Sequence, residues 1–451
     1  VTTYLVYGLA ETGAAVAGAL ARRGEQVLVA DDDPTDARRA AADVLGLALG
    51  DRPDDDELDR LVDAADAVVP SPGVPEHHRV IVAARAAGTP VLSELDLAWT
   101  WEQRRPGGAR PMLAVTGTDG KTTVTLMAEA MLQASGRAAL HCANDGEPLV
   151  TAVDREDVEV FVVECSSFRL AWAERFAPKV GTWLNLGHDH LNWHRSLDAY
   201  AAAKARLWEH QGPTEVAVGN ADDPVVAAHL AAAGARRVTF GTDGDYRVDG
   251  DHLAGPAGPI VPVTALTRGL PHDRTNALAA TATTLESGYA TADGVARALA
   301  GFRHPPHRIE RVGERDGVAW YDDSKATTPH AAVTAIRGFP RVVLVAGGKN
   351  KDLDLGALAA AADHVVGVVA IGAAAPLVAA AFEGRCPVVV IGGTERRMGE
   401  AVEAAAGLAT AGDVVLLSPA CASYDWYRSF GERGDDFAAH VRRRIGEEAG
   451  R

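Results

Sequence analysis

The sequence predicts an α/β protein of three domains in series. Length is the first observation, because 451 residues exceed what one hydrophobic core usually serves. The second is an alternation of short apolar runs with helical stretches. The runs are near-continuous and Val-rich, as parallel strands buried on both faces are. The third is that Gly, Pro or acidic residues close these runs, at the edge where open α/β sheets bind ligands. An apolar content of 47% marks a globular chain with ample core.

Residues 1–98 form the first predicted domain. Tyr4–Tyr7 reads as a strand, Gly8–Gly13 (GLAETG) as a turn, and a helix continues through Arg22. The next strand, Gln26–Ala30, ends in Asp31, Asp32 and Asp33, and a third, Asp66–Val69, runs into Pro70–Pro75 (PSPGVP). The pattern is Rossmann-like, but its glycines are spaced G-x-x-x-x-G. A phosphate or nucleotide-sugar site therefore fits better than a dinucleotide. Asp31–Asp33 read equally well as ligand contacts or as a solvated acidic loop. Gln103–Pro111 (QRRPGGARP) is the candidate linker.

Residues 99–303 form the second domain, organised around Val115–Thr123 (VTGTDGKTT). An apolar strand from Met112, a Gly-rich turn and a helix from Thr122 to about Gln133 make the context of a phosphate-binding loop. Unpaired N–H groups of the turn and helix start suit phosphate oxygens. Gly117 and Gly120 let the backbone approach closely. Lys121 supplies charge for the outer phosphates, and the Thr122 hydroxyl suits Mg²⁺. Val115 stands where the general G-x-x-x-x-G-K-[ST] pattern has its first Gly. The strand Val158–Val163 ends in Glu164, placed like a Mg²⁺-holding carboxylate, and Ser166 and Ser167 follow. The strand Val180–Leu186 leads to Gly187-His188-Asp189-His190, a metal or phosphate constellation. Lys204, on the helical stretch Tyr200–Trp208, reads by itself as a snorkelling surface lysine. Glu215–Gly219 is a further strand, and Leu270–Ala280 leads into a long Ala-rich helix.

Residues 304–451 alternate again, with strands at Val342–Ala346, Val365–Ile371, Val388–Ile391 and Val414–Leu417. Before them lie His304–Glu310 (HPPHRIE) and Tyr321–Thr328 (YDDSKATT), and after them Ser418–Phe437. Small and polar residues packed so densely between apolar runs point to a site rather than a core.

A net charge of −17 without a basic run argues against nucleic-acid binding as a bulk property. Cys142, Cys165, Cys386 and Cys421 lack C-x-x-C spacing, which points to reduced thiols in a cytoplasmic protein without a zinc site. No signal peptide or membrane-spanning run is evident.

Together the motifs resemble the Mur ligase family along the whole chain and in the family's order. They are TGTDGKTT, ECSSF (Glu164–Phe168), NLGHDHLNWH (Asn185–His194), AKARL (Ala203–Leu207), PHRIE, DSKAT (Asp323–Thr327) and SPACAS (Ser418–Ser423). The resemblance implies three Rossmann-like domains, the central one P-loop ATPase-like. It implies an ATP-dependent ligase of peptidoglycan precursor synthesis that adds glutamate, D-glutamate favoured, to UDP-N-acetylmuramoyl-L-alanine through an acyl phosphate. It also implies a cytoplasmic monomer with small-molecule substrates and no nucleic-acid or membrane partner.

Residue roles follow from the matched motifs. Gly117, Thr118, Asp119, Gly120, Lys121, Thr122 and Thr123 hold the ATP phosphates, Asn276 and Arg308 contact the adenosine or the phosphates, and Asp323 the ribose region. Thr122 and Glu164 attend one Mg²⁺, and His190 and Lys204 a second. In the family this lysine is carbamoylated, so a cation becomes an anion able to coordinate metal. Lys325 lies near the transferring group. Gly8, Gly13, Asp31, Ser71, Asn144 and Ser166 face the UDP-sugar, while Thr327, Lys351, Ser423 and the backbone of Phe430 take glutamate. The resemblance places the ATP loop and the glutamate contacts in different domains, so domain closure is expected.

Five positions depart from the family pattern. Asp145 replaces Ile in Asn-Ile-Gly, Arg169 an amide and Asp273 an Asn; Thr328 replaces an Asn, and Lys349 an acidic or neutral residue. They lie near both substrate pockets, so an L-glutamate-adding relative stands as the alternative. A folylpolyglutamate-synthase-like ligase fits less well, because it lacks the N-terminal UDP-binding domain. A non-catalytic nucleotide sensor predicts loss of Glu164, His190 or Lys204, and all are present.

Overall fold

The computed structural model describes residues 1–446, which divide into two compact units. The first comprises Val1–Gly269 and Arg274–Phe302; the second comprises Leu270–Asp273 and the chain from Arg303.

The first unit opens with a four-stranded parallel sheet in the order Leu49–Asp51, Gln26–Asp31, Thr3–Tyr7, Ala67–Pro70. Leu49–Asp51 is a short edge strand that the sequence pattern does not announce. The helix Glu11–Arg22 follows the first strand and buries Val16, Ala17, Ala19 and Leu20. Gln103–Pro111 is clamped rather than free. Glu102, at the end of the helix Glu94–Gln103, accepts from the Arg110 guanidinium at 2.9 Å through each carboxylate oxygen, and Arg110 also donates to the Val158 carbonyl.

The second sheet of this unit has six parallel strands. Their order is Arg236–Phe240, Val216–Asn220, Val180–Trp183, Met112–Thr116, Val160–Glu164, Ala139–Ala143. Met112–Thr116, Val160–Glu164 and Val180–Trp183 are buried throughout, which is why they read as continuous apolar runs. The strand from Val180 stops at Trp183, short of the predicted Leu186, because the next residues turn to bond the phosphate loop. A small antiparallel sheet, Arg247–Asp249, His252–Gly255 and Gly258–Pro262, is appended.

The second unit holds a six-stranded sheet. Its order is Glu310–Arg315, Val318–Asp322, Val414–Leu417, Val342–Gly347, Val365–Gly372, Val388–Gly392. The first pair is an antiparallel hairpin; the other pairings are parallel. Helices cover both faces with separate apolar clusters. Among the described residues, no helix is long and apolar enough to cross a membrane.

Candidate active site

In the central sheet, Met112–Thr116 lies between Val160–Glu164 and Val180–Trp183, with Val115 level with Glu164 and Thr116 with Trp183. The chain then crosses to the far edge and comes back on both sides of this strand. The loop after Thr116 therefore opens at a topological switch point. Gly120 precedes the helix Lys121–Ala134 at φ +85°, and a Cβ there would stand 2.7 Å from Asn276 Oδ1. A Cβ on Gly117 would stand 2.9 Å from the Leu184 Cβ.

Asn185 holds this loop in shape. Its Oδ1 accepts from the Thr118 and Asp119 N–H groups at 3.0 Å, and its Nδ2 donates to the Asp119 carbonyl. The Thr118 hydroxyl accepts from Gly187 N at 2.8 Å and lies 3.3 Å from the Tyr200 hydroxyl. Lys121 Nζ donates to the carbonyls of Gly117 and Thr118 at 3.0 and 2.8 Å. Thr122 and Thr123 form the first helical turn behind it.

Glu164 is buried. Its Oε1 accepts from Asn144 Nδ2 at 2.8 Å, while its Oε2 finds no partner among the described residues. A buried carboxylate left half-satisfied is costly, and the donor set suits a cation.

Lys204 corrects its surface reading, since only 1% of it is exposed. The helix Leu197–Glu209 turns Tyr200, Ala203, Lys204 and Leu207 inward together, the i, i+3, i+4, i+7 spacing of one helix face. Lys204 Nζ donates to the Gly117 carbonyl at 2.7 Å and sits 4.5 Å from the Tyr200 ring centre. Burial first, then the Lys121 cation, hold its amine well below the ordinary lysine range. A neutral amine is the form that adds CO₂ to give a carbamate, the anionic state a metal ligand requires. His190 packs edge-on against Phe168, with ring centres 4.6 Å apart, and its Nε2 lies 3.2 Å from Asp189. Its ring is 6.1 Å from that of Tyr200. The structure therefore joins Lys121 and Lys204 through one carbonyl, and Lys204 and His190 through one aromatic ring.

A cavity of about 620 Å³ lies at the carboxyl edge of the first sheet. Gly8, Asp31, Ser71 and Asn144 line it, with Asp145 and Arg169. Gly13 and Ser166 act behind the wall. A Cβ on Gly13 would stand 1.9 Å from the Gly8 carbonyl oxygen, and Ser166 Oγ caps the turn at Arg169. Asp31 is buried, which corrects the solvated-loop reading at that position while Asp32 and Asp33 stay exposed. Its carboxylate accepts from Leu9 N, Asp33 N and Arg38 Nη1 at 2.6, 2.9 and 2.7 Å, so it braces the loop.

In the second unit, the loops after Asp322, Gly347 and Leu417 emerge from adjacent parallel strands. Asp323 accepts from Ser418 Oγ at 2.8 Å. Lys325 is exposed, with Nζ 4.1 Å from the Phe430 ring centre. Lys351 Nζ stands 5.8 Å from the Tyr424 ring, Ser423 is buried, and Thr327 is half-buried. Arg308 lies between His307 and Ile309, both at positive φ, and the hydrogen bond that His307 Nδ1 donates to the Asp322 carboxylate at 2.7 Å raises the His307 pKa. The Phe430 carbonyl accepts from Ser324 Oγ at 2.7 Å. Of the departures, Thr328 caps the helix Pro329–Ile336, Lys349 pairs its backbone with Ala422, and Asp273 accepts from Leu270 N at the start of the helix Pro271–Glu286. Asp273 belongs to the second unit and Asn276 to the first.

Sequence reasoning passed over three residues. Asn185 stood inside a quoted motif without a role. Glu94 pairs with Arg169, and none of the sequence motifs includes it. Arg433 is buried and donates to Ser324 Oγ and to the Ser324 and Cys421 carbonyls at 2.9, 2.8 and 3.1 Å. Burial pushes its pKa down to about 10. An arginine within the helix Phe430–Ile445 carries no sequence mark of such a place.

Residues 115–254 match the model of the Mur ligase middle domain, and residues 307–421 that of the Mur ligase glutamate ligase domain. A UDP-N-acetylmuramoylalanine–D-glutamate ligase of Frankia casuarinae is 44% identical over 98% of this chain and 94% of its own length. One of Mycolicibacterium vanbaalenii is 40% identical over 98% of each chain. A MurF ligase of Thermotoga maritima, solved in complex with ADP, shares the fold at a TM-score of 0.59 and 18% identity, covering 86% of this chain and 92% of that one. With identity of this order along nearly its whole length, the chain belongs to the Mur ligase family.

Proposed function

We propose that the chain joins D-glutamate to UDP-N-acetylmuramoyl-L-alanine with cleavage of ATP to ADP and phosphate, an amide-forming step of peptidoglycan precursor synthesis. The observation that carries the reading is the near-full-length likeness to ligases so named, at 44 and 40% identity. Residues 1–98 take the UDP-sugar, 99–303 ATP and 304–451 glutamate. The enzyme works as a cytoplasmic monomer on small molecules.

The chemistry asks mainly for positioning and charge neutralisation. The substrate carboxylate attacks the γ-phosphorus and ADP leaves. The amine of glutamate then attacks the acyl carbon, phosphate departs, and the amine loses its proton. The loop Gly117–Thr123 presents N–H groups to the phosphates, and Lys121 exchanges its loop carbonyls for phosphoryl oxygens. Thr122 and Glu164 would hold one Mg²⁺, for which the unpartnered Glu164 oxygen provides a place. His190 and a carbamoylated Lys204 would hold a second, and the depressed amine of Lys204 supports that modification. Bound Mg²⁺ would neutralise charge on the phosphates. Asn276, Arg308 and Asp323 orient the nucleotide, and Lys325 steadies the transferring group. Gly8, Asp31, Ser71 and Asn144 shape the UDP-sugar cavity, backed by Gly13 and Ser166. Thr327, Lys351, Ser423 and the Phe430 backbone receive the glutamate carboxylates.

Phosphate release from ATP, measured with UDP-N-acetylmuramoyl-L-alanine and each glutamate enantiomer, tests the reading. Turnover with D-glutamate and little with L-glutamate is expected. Equal or reversed preference contradicts the assigned enantiomer, and silence with both contradicts the activity.

A further inference from the structure

Arg169 stands where the family pattern has an amide, and it is 6% exposed. Its Nη1 pairs with the buried carboxylate of Glu94. Its Nη2 donates to Thr12 Oγ1 at 3.1 Å and to the Ala143 carbonyl at 3.2 Å. These partners come from the helix Glu11–Arg22, the helix Glu94–Gln103 and the end of the strand Ala139–Ala143. One rigid fork thus gathers three separate segments, which an uncharged glutamine could not do.

Ala143 is the strained member of this set. Its φ of +83° is a conformation that an L side chain rarely adopts, so its surroundings must hold it there. The turn it makes delivers Asn144 to Glu164. The Asn144 N–H donates to the Glu164 carbonyl at 3.1 Å, and its Nδ2 to the Glu164 side chain at 2.8 Å.

We infer that Arg169 is a positioning residue: by pinning the left-handed turn at Ala143 it sets the Asn144 amide against Glu164, and so ties the wall of the UDP-sugar cavity to the carboxylate that would hold Mg²⁺. The inference rests on the ligase reading above. Asn144, one hydrogen bond from Glu164, is the kind of partner that orients a metal ligand and tunes its affinity, and Arg169 acts through it.

Mn²⁺ binding to the purified full-length chain with ADP, followed by electron paramagnetic resonance, reads the effect without turnover. Arg169→Gln and Asn144→Ala are each expected to weaken Mn²⁺ binding about tenfold or more. The double variant is expected to be no weaker than the worse single one, because both act through one contact. Adding Ala143→Gly to Arg169→Gln is expected to restore most of the affinity, since glycine adopts positive φ without support. A purely structural role predicts loss of thermal stability without that rescue. Affinity of folded Arg169→Gln within about twofold of wild type, or multiplying effects in the double variant, overturns the inference. If Arg169→Gln does not fold, Arg169→Lys, which keeps the charge but not the fork, is judged by the same limits. Failure of the ligase reading shows separately, as wild-type enzyme that releases no phosphate with D-glutamate.

Discussion

The Lys204 amine shares the Gly117 carbonyl with Lys121, away from water. As an ammonium it would repel both Lys121 and a metal; as a carbamate it would attract them. Lys204→Ala is therefore expected to lower kcat about a hundredfold, with partial recovery on adding a short carboxylate such as acetate, measured by phosphate release. A variant close to wild-type activity would remove Lys204 from the site. A linked expectation concerns pH. The folded-state pKa of Lys204 lies below the value of about 10.5 in an unfolded chain, so between the two the unfolded chain binds the extra proton. Without bicarbonate, stability should rise with pH across that window, and Lys204→Ala should flatten the slope. None of this was legible from the residue alone. A lysine on an Ala-rich helix looks like a surface lysine, and only the family motif marked it. Glu164 was legible, because an acid that ends a fully apolar strand has few structural reasons to be there.

At the scale of elements, the buried parallel strands were readable because burial on both faces leaves an unbroken Val-rich run. Short edge strands were not. Leu49–Asp51 has three residues, and the hairpin strand Glu310–Arg315 is largely charged and exposed. The antiparallel strands between Arg247 and Pro262 are rich in Gly and Pro, residues that ordinarily mark turns. The segment from Gly8 was readable as a loop at the carboxyl end of a strand, where it lines a cavity, although its tightness was not. Helix and turn touch where Gly13 meets the Gly8 carbonyl, and a Cβ would stand 1.9 Å from that oxygen. Gly13→Ala should push the helix Glu11–Arg22 away from the cavity. The expected result is a KM for the UDP-sugar substrate raised about tenfold or more, with the KM for ATP little changed. Equal change in both would mean that this helix start does not serve the UDP-sugar.

Across the molecule, a chain of net charge −17 must gather its cations locally to act on phosphates. It does so on the central loop, where Lys121 and Lys204 meet at Gly117. Part of this arrangement was legible from the motif order, because TGTDGKTT, ECSSF and NLGHDHLNWH follow three neighbouring parallel strands of the central sheet, whereas AKARL lies within a helix. What the order did not reveal is the bracing behind the loops. Asn185, Glu94 and Arg433 touch backbone groups distant in sequence, and a single sequence contains no record of such contacts.

The central claim is that this loop and its cations stabilise a carboxyl phosphate long enough for an amine to displace it. Trapping with hydroxylamine, in ATP and UDP-N-acetylmuramoyl-L-alanine without glutamate, tests it most directly. The wild-type enzyme should form the substrate hydroxamate together with ADP, and Lys121→Ala should form it at least about a hundredfold more slowly. ADP production without hydroxamate, or undiminished trapping in Lys121→Ala, would contradict the account.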